Sequence, residues 1–124
     1  MTSARSRRGG LARQSGRRGE VLAALLLMLK GYRVLGFRLV SPQGEIDLLA
    51  VKGGILAVVE VKRRATRESA LEAVLPEQRV RLRRAAAAVA AGRPALKGAT
   101  IRLDLIALAP GRLPLHIPDA WKGC

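Results

Sequence analysis

The sequence predicts an α/β domain whose elements follow one another in the order αβββαβ. Three observations support this fold class. The chain has 124 residues and is 49% hydrophobic, which suits one domain with an aliphatic core. Apolar residues recur at helical spacing between residues 22 and 29 and form strand-like runs between residues 33 and 62. An Ala-rich helical segment and one further strand follow, so helices and strands are mixed along the chain.

A basic tail and then a helix are expected at the start of the chain. Residues 1–15 are rich in Arg, Ser and Gly and show no apolar period, which is typical of a disordered segment. Residues 16–124 are expected to form a single domain. Residues 16–30 predict a buried helix that ends at Gly31, because four leucines share one helical stripe: Leu22, Leu25, Leu26 and Leu29.

The apolar run at residues 21–29 is not expected to be a targeting segment or a membrane span. It has nine residues, it follows Glu20, and no small-residue cleavage site comes after it. The single cysteine, Cys124, allows neither an internal disulfide nor a thiolate metal site, and the single His116 excludes a multi-histidine zinc site. These features favour a reducing, cytoplasmic compartment.

Three strands are expected before the second helical region. Residues 33–40 form the first, and Ser41-Pro42-Gln43-Gly44 stops it. Residues 45–51 and 55–62 form the next two, on either side of Lys52-Gly53-Gly54. A Gly-Gly pair between two such runs is typical of a β-hairpin, because the favoured turn needs a positive φ at both central positions.

The second half of the chain predicts a helix and a last strand. Residues 67–74 are expected to be a loop or a short helix. Pro76 suits the start of a longer helix that continues to residue 91, before Gly92 and Pro94. Residues 101–108 form the last strand, and a short tail continues through Trp121.

The charge of the chain favours a polyanionic partner. The 23 basic and 9 acidic residues give a net charge of +14, which is typical of proteins that bind nucleic acid and, second, anionic membranes. Composition offers an alternative, since 18 of the basic residues are Arg, as a GC-rich genome would produce. Without the six arginines before Glu20 the surplus is still 17 minus 9, or +8, so contact with nucleic acid is favoured.

Three of the nine acidic residues lie in two short motifs, Gly44-Glu45-Ile46-Asp47 and Val59-Glu60-Val61-Lys62. A hairpin that turns on Gly53-Gly54 pairs Leu49 with Val58 and Asp47 with Glu60. Because side chains alternate along a strand, one face then carries four charged residues: Glu45, Asp47, Glu60 and Lys62. Directly opposed Cβ atoms lie about 4.5–5.5 Å apart.

Two carboxylates at this distance repel one another unless a cation lies between them. Mg²⁺ prefers oxygen ligands and keeps positions open for water and a phosphate oxygen. Lys62, beside the pair, could orient a water, help to deprotonate it or stabilise charge on the phosphate. Together these groups indicate phosphodiester hydrolysis.

An ordinary surface patch is the alternative interpretation, in which Lys62 forms weak ion pairs with Glu45 and Asp47. Spacing alone leaves both interpretations open, since a slip of one residue would turn these side chains to the opposite face. The apolar residues around the motifs favour the functional interpretation. They indicate strands buried on both faces, where unpaired charges are costly: Leu48, Leu49, Val58, Val59 and Val61.

At these motifs the sequence resembles the YraN family, small bacterial proteins related in fold to archaeal Holliday-junction resolvases of the PD-(D/E)xK nuclease superfamily. The resemblance extends over nearly all of residues 17–121. It includes Gly19-Glu20, Lys30-Gly31-Tyr32, residues 71–74, Arg102-Leu103-Asp104 and residues 116–120.

The resemblance implies a restriction-endonuclease-like αβββαβ core with a mixed β-sheet flanked by helices. It implies that Asp47 and Glu60 hold Mg²⁺ or Mn²⁺ and that Lys62 is the catalytic lysine. Glu20 matches an acid of the first helix that approaches the metal in related resolvases; an acid placed favourably at a helix N-terminus is the alternative. The family often has Lys where this chain has Gln78, which weakens the expectation of a basic contact there. Related resolvases work as dimers, so a homodimer is expected.

Other polar residues are candidates for contacts with the nucleic acid backbone. Arg63, Arg64 and Arg67 follow Lys62 and could hold phosphates beside the scissile one. Gln78 and Arg81 belong to the start of the last long helix, where a solvated helix face is the alternative for any one of the arginines there: Arg79, Arg81, Arg83 and Arg84. Asp104 is expected to form an ion pair with Arg102 on the same strand face, and His116 to be structural.

The leading functional hypothesis is a Mg²⁺- or Mn²⁺-dependent endonuclease that acts on structured DNA, and the sequence leaves branched and linear substrates open. The alternative is a basic nucleic-acid-binding module that keeps the fold without catalysis. With three aromatic residues the chain lacks a platform for stacking single-stranded bases, so backbone contacts to duplex or branched nucleic acid fit better. A membrane-surface protein is not expected, because the first helix has too few cations along its length.

Overall fold

The computed structural model describes residues 18–122 and shows a mixed five-stranded sheet flanked by helices. The elements, in chain order, are α1 (18–29), β1 (Arg33–Ser41), β2 (Gly44–Lys52), β3 (Ile55–Arg63), α2 (Arg67–Glu72), α3 (Pro76–Ala91), a 3₁₀ turn (Pro94–Leu96), β4 (Thr100–Leu108) and β5 (Leu115–Ile117). The predicted α/β class and the order αβββαβ are confirmed, with α2 and β5 added to the core. The expected basic tail at 1–15 lies outside the described residues.

The strands lie side by side in their chain order, from β1 to β5. β1, β2 and β3 form an antiparallel meander, β4 pairs parallel to β3, and β5 pairs antiparallel to β4. A parallel neighbour requires a crossover, and α2 and α3 supply it between β3 and β4. The crossover brings the N-terminal half of α3 over the sheet.

The β2–β3 hairpin turns where the Gly-Gly pair predicted it. Gly53 has a φ of 58°, which an L side chain rarely adopts. Val51 pairs with Leu56, Leu49 with Val58 and Leu48 with Val59, so the predicted register is confirmed along this part of the hairpin.

Both faces of the central strands are buried, as the apolar runs predicted. On one face Leu49 and Val58 pack with Leu82 and Ala85 of α3. On the other face the cluster includes residues of β2, β3 and α1: Leu48, Ala57, Val59, Ala23 and Leu27. Polar side chains on β2 and β3 that approach this interior therefore lose much of their hydration.

The prediction that a stripe of four leucines forms the buried face of α1 is wrong: Leu22, Leu25, Leu26 and Leu29. Leu22 and Leu25 are each 50% exposed and Leu29 is 87% exposed. The residues that pack on the sheet are Ala23, Ala24 and Leu27. Residues 21–29 are apolar all round the helix, so helical spacing did not select a face, and the small alanines allow α1 to approach the sheet closely. None of the helices within residues 18–122 is long and apolar enough to cross a membrane.

Candidate active site beside the β2–β3 hairpin

The four charged residues predicted on one face of the hairpin line one cavity of about 290 Å³. α3 forms its other wall, and the turn before β2 closes one end. The lining residues are Gln43, Gly44, Glu45, Asp47, Glu60, Lys62, Gln78, Arg81 and Leu82. The structure therefore brings the two motifs together and adds Gln78 and Arg81, which were predicted to contact nucleic acid.

Asp47 lies where the β2–β3 ladder ends. The last Cα pair is Leu48 with Val59, so the predicted direct pairing of Asp47 with Glu60 is wrong. The cause is a side-chain contact: the backbone N–H of Val61 donates to Asp47 Oδ2 at 3.0 Å. This bond replaces a ladder bond, holds the Asp47 carboxylate beside β3 and lets the two strands separate at the cavity.

β1 is also irregular beside Asp47. Its pairing with β2 includes Phe37–Leu48 and Leu39–Ile46, and between them Arg38 has a φ of 46°. Such a conformation is strained for a residue other than glycine and is held by surrounding contacts. Here the contact is an ion pair, because Arg38 Nε donates to Glu20 Oε1 at 2.8 Å and to Oε2 at 3.1 Å.

Glu20 lines a different cavity, with Val21, Phe37 and Arg38. The hydrogen bond and the negative charge of Glu20 raise the pKa of Arg38, and the charges of Glu45 and Asp47 add to this effect. The positive charge of Arg38 therefore interacts mainly with Glu20 and more weakly with the carboxylates of the candidate site. The role of Glu20 as a metal ligand stays a prediction of the resemblance.

Glu60 is the most perturbed acid of the site. It is 3% exposed, and burial raises the pKa of its carboxyl from 4.5 to about 8, with a further contribution from the negative charge of Asp47. Lys62 acts in the opposite direction, but its Nζ is 3.8 Å from Glu60 Oε2, beyond hydrogen-bond distance. Glu60 Oε1 is buried and has no hydrogen-bond partner among the described residues.

The donor set of the cavity consists of carboxylate oxygens, the kind of ligand that Mg²⁺ and Mn²⁺ prefer. Asp47 and Glu60 offer carboxylate oxygens, and Glu60 Oε1 is a buried acceptor that lacks a donor. Within residues 18–122 there is no cluster of three or more His, Cys, Asp or Glu able to hold a metal. Mg²⁺ is commonly held by one or two carboxylates together with waters and substrate phosphates, and Asp47 and Glu60 offer two such carboxylates.

The basic residues after Lys62 lie outside the cavity lining. Arg63, Arg64 and Arg67 are exposed at the end of β3 and the start of α2. None of the ion pairs found in the described part of the chain includes any of them. They remain predicted contacts for the nucleic acid backbone, near the site in sequence and open to solvent.

Asp104 and His116 belong to a separate buried network. Arg102 donates to both carboxylate oxygens of Asp104 at 2.8 Å, which confirms the predicted ion pair. His116 Nε2 lies 2.8 Å from Asp104 Oδ2, and Lys30 Nζ lies 2.9 Å from His116 Nδ1. A lysine ammonium can only donate, so Nδ1 accepts and Nε2 carries the proton.

The carboxyl of Asp104 is fully buried, which acts to raise its pKa. Hydrogen bonds from His116 and Arg102 outweigh the effect of burial and hold the pKa of Asp104 below its usual range. The network joins the end of α1 to β4 and β5, in agreement with the structural role predicted for His116.

Sequence reasoning missed Arg38 and Gln43. Gln43 lines the cavity, and its Oε1 is a second buried oxygen without a hydrogen-bond partner among the described residues. Its position directly before Gly44-Glu45-Ile46-Asp47 was an available signal. Arg38 gave no such signal, because its role depends on a positive φ and on a partner in α1.

Comparison with known proteins identifies the family. The model described as "Uncharacterised protein family UPF0102" matches residues 19–108, which include every residue of the cavity lining. The chain belongs to the UPF0102 family. The YraN resemblance drawn from the two motifs is thereby confirmed at the level of the family.

Several UPF0102 relatives match over nearly the whole chain. A UPF0102 protein of Caulobacter vibrioides (strain NA1000 / CB15N) is 65% identical over 119 residues, covering 96% of this chain and 95% of the relative. One of Caulobacter sp. (strain K31) is 68% identical over 92% of this chain and 82% of its own length. UPF0102 protein amb4503 of Paramagnetospirillum magneticum (strain ATCC 700264 / AMB-1) is 49% identical, with 94% of each chain covered.

Proposed function

We propose that this protein is a Mg²⁺- or Mn²⁺-dependent endonuclease that hydrolyses phosphodiester bonds of structured DNA. One observation carries the proposal: the buried Glu60 carboxyl lies beside Asp47 with one oxygen that has no hydrogen-bond partner among the described residues. A buried carboxylate oxygen that accepts no hydrogen bond makes the ionised acid costly, and a divalent cation beside it removes this cost.

The need for a cation is not met by Lys62 alone. Its Nζ is 3.8 Å from Glu60 Oε2, and its charge does not offset burial and the charge of Asp47, since the pKa of Glu60 is still raised. Asp47 and Glu60 would hold the ion. A bound Mg²⁺ or Mn²⁺ would supply Lewis-acid activation of the phosphate ester and of water.

Other contacts at the cavity fix the Asp47 carboxylate and would hold the substrate. The amide of Val61 fixes Asp47 through its Oδ2, so that carboxylate cannot turn away from Glu60 without losing a bond. Lys62 Nζ can donate to a phosphate oxygen, and the Arg81 guanidinium can hold two phosphate oxygens at once. Both cations line the same cavity as the carboxylates, so charge that builds on the phosphate is opposed by fixed positive charge.

The surface charge supports a nucleic acid as the substrate. The chain carries a net charge of +14, and none of the ion pairs within residues 18–122 includes Arg81 of the cavity lining. Arg63, Arg64 and Arg67 are suited to phosphates on either side of the scissile one, because such contacts position a backbone without reading its sequence.

The proposal is tested by cleavage of labelled linear duplex, flap, four-way junction and RNA substrates, with Mg²⁺, with Mn²⁺ and with EDTA. The variants are Glu60→Gln and Lys62→Ala, and Glu72→Gln is the matched control, since Glu72 is exposed on α2 and outside the cavity lining. We expect metal-dependent cutting by the wild type and by the Glu72 variant. The two site variants are expected to lose it.

Absence of cutting by the wild type would reject the proposal that the protein is an endonuclease. If binding to the same substrates is then retained, by the wild type and by Glu60→Gln, the result supports a nucleic-acid-binding module without catalysis. The substrate that is cut fastest identifies whether branched DNA is preferred.

A further inference from the structure

A further cavity, of about 390 Å³, lies beside α3 and on the β4 side of the helix, apart from the candidate active site and from the cavity lined by Glu20. Its lining residues are Pro76, Arg79, Val80, Arg83, Leu103 and Trp121. None of these residues lines the candidate active site, although Arg79 directly follows Gln78, which does. Because consecutive residues of a helix are turned by roughly 100°, the two cavities lie on neighbouring sides of α3.

Within residues 18–122, the side chain of Arg79 packs against an aromatic ring and forms no ion pair with an acid. Its guanidinium carbon lies 5.5 Å from the centre of the Trp121 ring. Trp121 is itself fixed, because its Nε1 donates to the carbonyl oxygen of Leu71 at 3.1 Å. Arg79 Nε is buried and has no hydrogen-bond partner among the described residues, so a donor at the cavity lacks an acceptor.

Arg83 adds a second positive charge to the same cavity. It lies four residues after Arg79, so the two side chains are neighbours on one side of α3, and like charges at this spacing repel one another. None of the ion pairs found within residues 18–122 includes either arginine. An anion in the cavity would accept from Arg79 Nε and reduce the repulsion between the two guanidinium groups.

We infer that this cavity is a phosphate subsite, in which Arg79 and Arg83 hold a phosphate of the nucleic acid backbone other than the scissile one. The inference rests on the proposed function for the identity of the ligand. Two guanidinium groups match the several oxygens of a phosphate, and Val80, Leu103 and Trp121 give an apolar wall suited to the adjoining sugar.

The spacing of the two cavities agrees with one continuous backbone. They lie on neighbouring sides of α3, so they are closer together than the full diameter of the helix with side chains, which is about 10–12 Å. A strand held at Lys62 and Arg81 would thus reach Arg79 and Arg83 by crossing the N-terminal half of α3.

The test uses the full chain and its single tryptophan, Trp121, as a reporter inside the cavity. A labelled DNA duplex is titrated in EDTA, where no cleavage occurs, while anisotropy and tryptophan fluorescence are recorded over a range of salt concentrations. The variant is Arg83→Ala. Arg84→Ala is its control, since Arg84 is the next residue, is exposed, carries the same charge and does not line the cavity.

We expect Arg83→Ala to weaken binding about tenfold, as for loss of one charge-assisted contact, and to lower the salt slope by about one. It should also reduce the fluorescence change at Trp121. Arg84→Ala should leave all three quantities close to those of the wild type. Equal effects of the two substitutions would overturn the subsite, because they would reflect net charge alone, even if the wild type binds and cuts DNA.

A wild type that neither binds this duplex nor cuts the substrate panel would reject the proposed function, and a separate titration then decides the subsite. Inorganic phosphate and tripolyphosphate are added while Trp121 fluorescence is followed. A saturable change that Arg83→Ala loses and Arg84→Ala keeps supports a phosphate subsite for another phosphate ester. No change in the wild type rejects the subsite.

Discussion

Replacing Glu60 by Gln removes an ionisable proton from the candidate site while keeping the size of the side chain. In the folded protein the pKa of Glu60 is raised from 4.5 to about 8, first by burial and then by the charge of Asp47. A raised pKa means that the folded state binds this proton more tightly than the unfolded chain does. The stability from this proton is therefore fully present below pH 4.5 and is lost as the pH rises through about 8.

The magnitude follows from the size of the shift. Each pH unit within this window costs about 1.4 kcal/mol, so the wild type loses about 3 kcal/mol from this group between pH 4.5 and about pH 7. A glutamine side chain resembles the protonated acid, so Glu60→Gln loses none of this free energy as the pH rises. Without metal, Glu60→Gln should therefore be more stable than the wild type by about 3 kcal/mol near neutral pH, or roughly 10–15 °C in Tm for a domain of this size.

The assay is urea unfolding of both proteins across this pH range, with and without Mg²⁺, and with Glu72→Gln as the control. The difference between wild type and Glu60→Gln isolates the titration of Glu60 from that of other groups. Mg²⁺ should stabilise only proteins that keep Glu60, with an apparent affinity that increases by up to about tenfold per pH unit below pH 8, since the ion must displace a proton. Parallel stability profiles for the two proteins would refute the reasoning.

Three further predictions concern the fold and are checked by chemical denaturation. Leu27→Ala should lower the free energy of unfolding by about 2–5 kcal/mol, because Leu27 is fully buried. Leu29→Ala should lower it by less than about 0.5 kcal/mol, because Leu29 is 87% exposed. Equal losses would contradict the orientation of α1. Asp104→Ala should lower the free energy of unfolding by about 3–5 kcal/mol, since it leaves Arg102 without its partner. The wild type should lose the stability that Asp104 contributes as the pH falls through the lowered pKa of this acid. A small loss of stability in the variant at neutral pH would argue against the network. Gly53→Ala should lower the free energy of unfolding by about 1–2 kcal/mol, because Gly53 has a φ of 58°. Gly54→Ala should lower it less, because Gly54 has no positive φ. A larger loss for the Gly54 variant than for the Gly53 variant would indicate another turn.

Local patterns in the sequence determined the hairpin and the residues of the site. The Gly53-Gly54 turn sets which residues oppose one another, and alternation along β2 and β3 then assigns faces without knowledge of the rest of the chain. Asp47, Glu60 and Lys62 could therefore be placed together from spacing, and they line one cavity. The family could also be identified at this level, because each of the two motifs is a continuous run of residues.

Contacts between distant segments were decided only by the tertiary structure. Residues 21–29 are apolar all round α1, so only packing against the sheet selected Ala23 and Leu27 over Leu25 and Leu29. The ladder ends at Leu48 and Val59, three pairs before the end of the predicted strands, and the Asp47 side chain accepts from the Val61 amide there, which alternation does not reveal. The raised pKa of Glu60 depends on burial contributed by several elements at once, so it could not be read from the charged motifs that contain it.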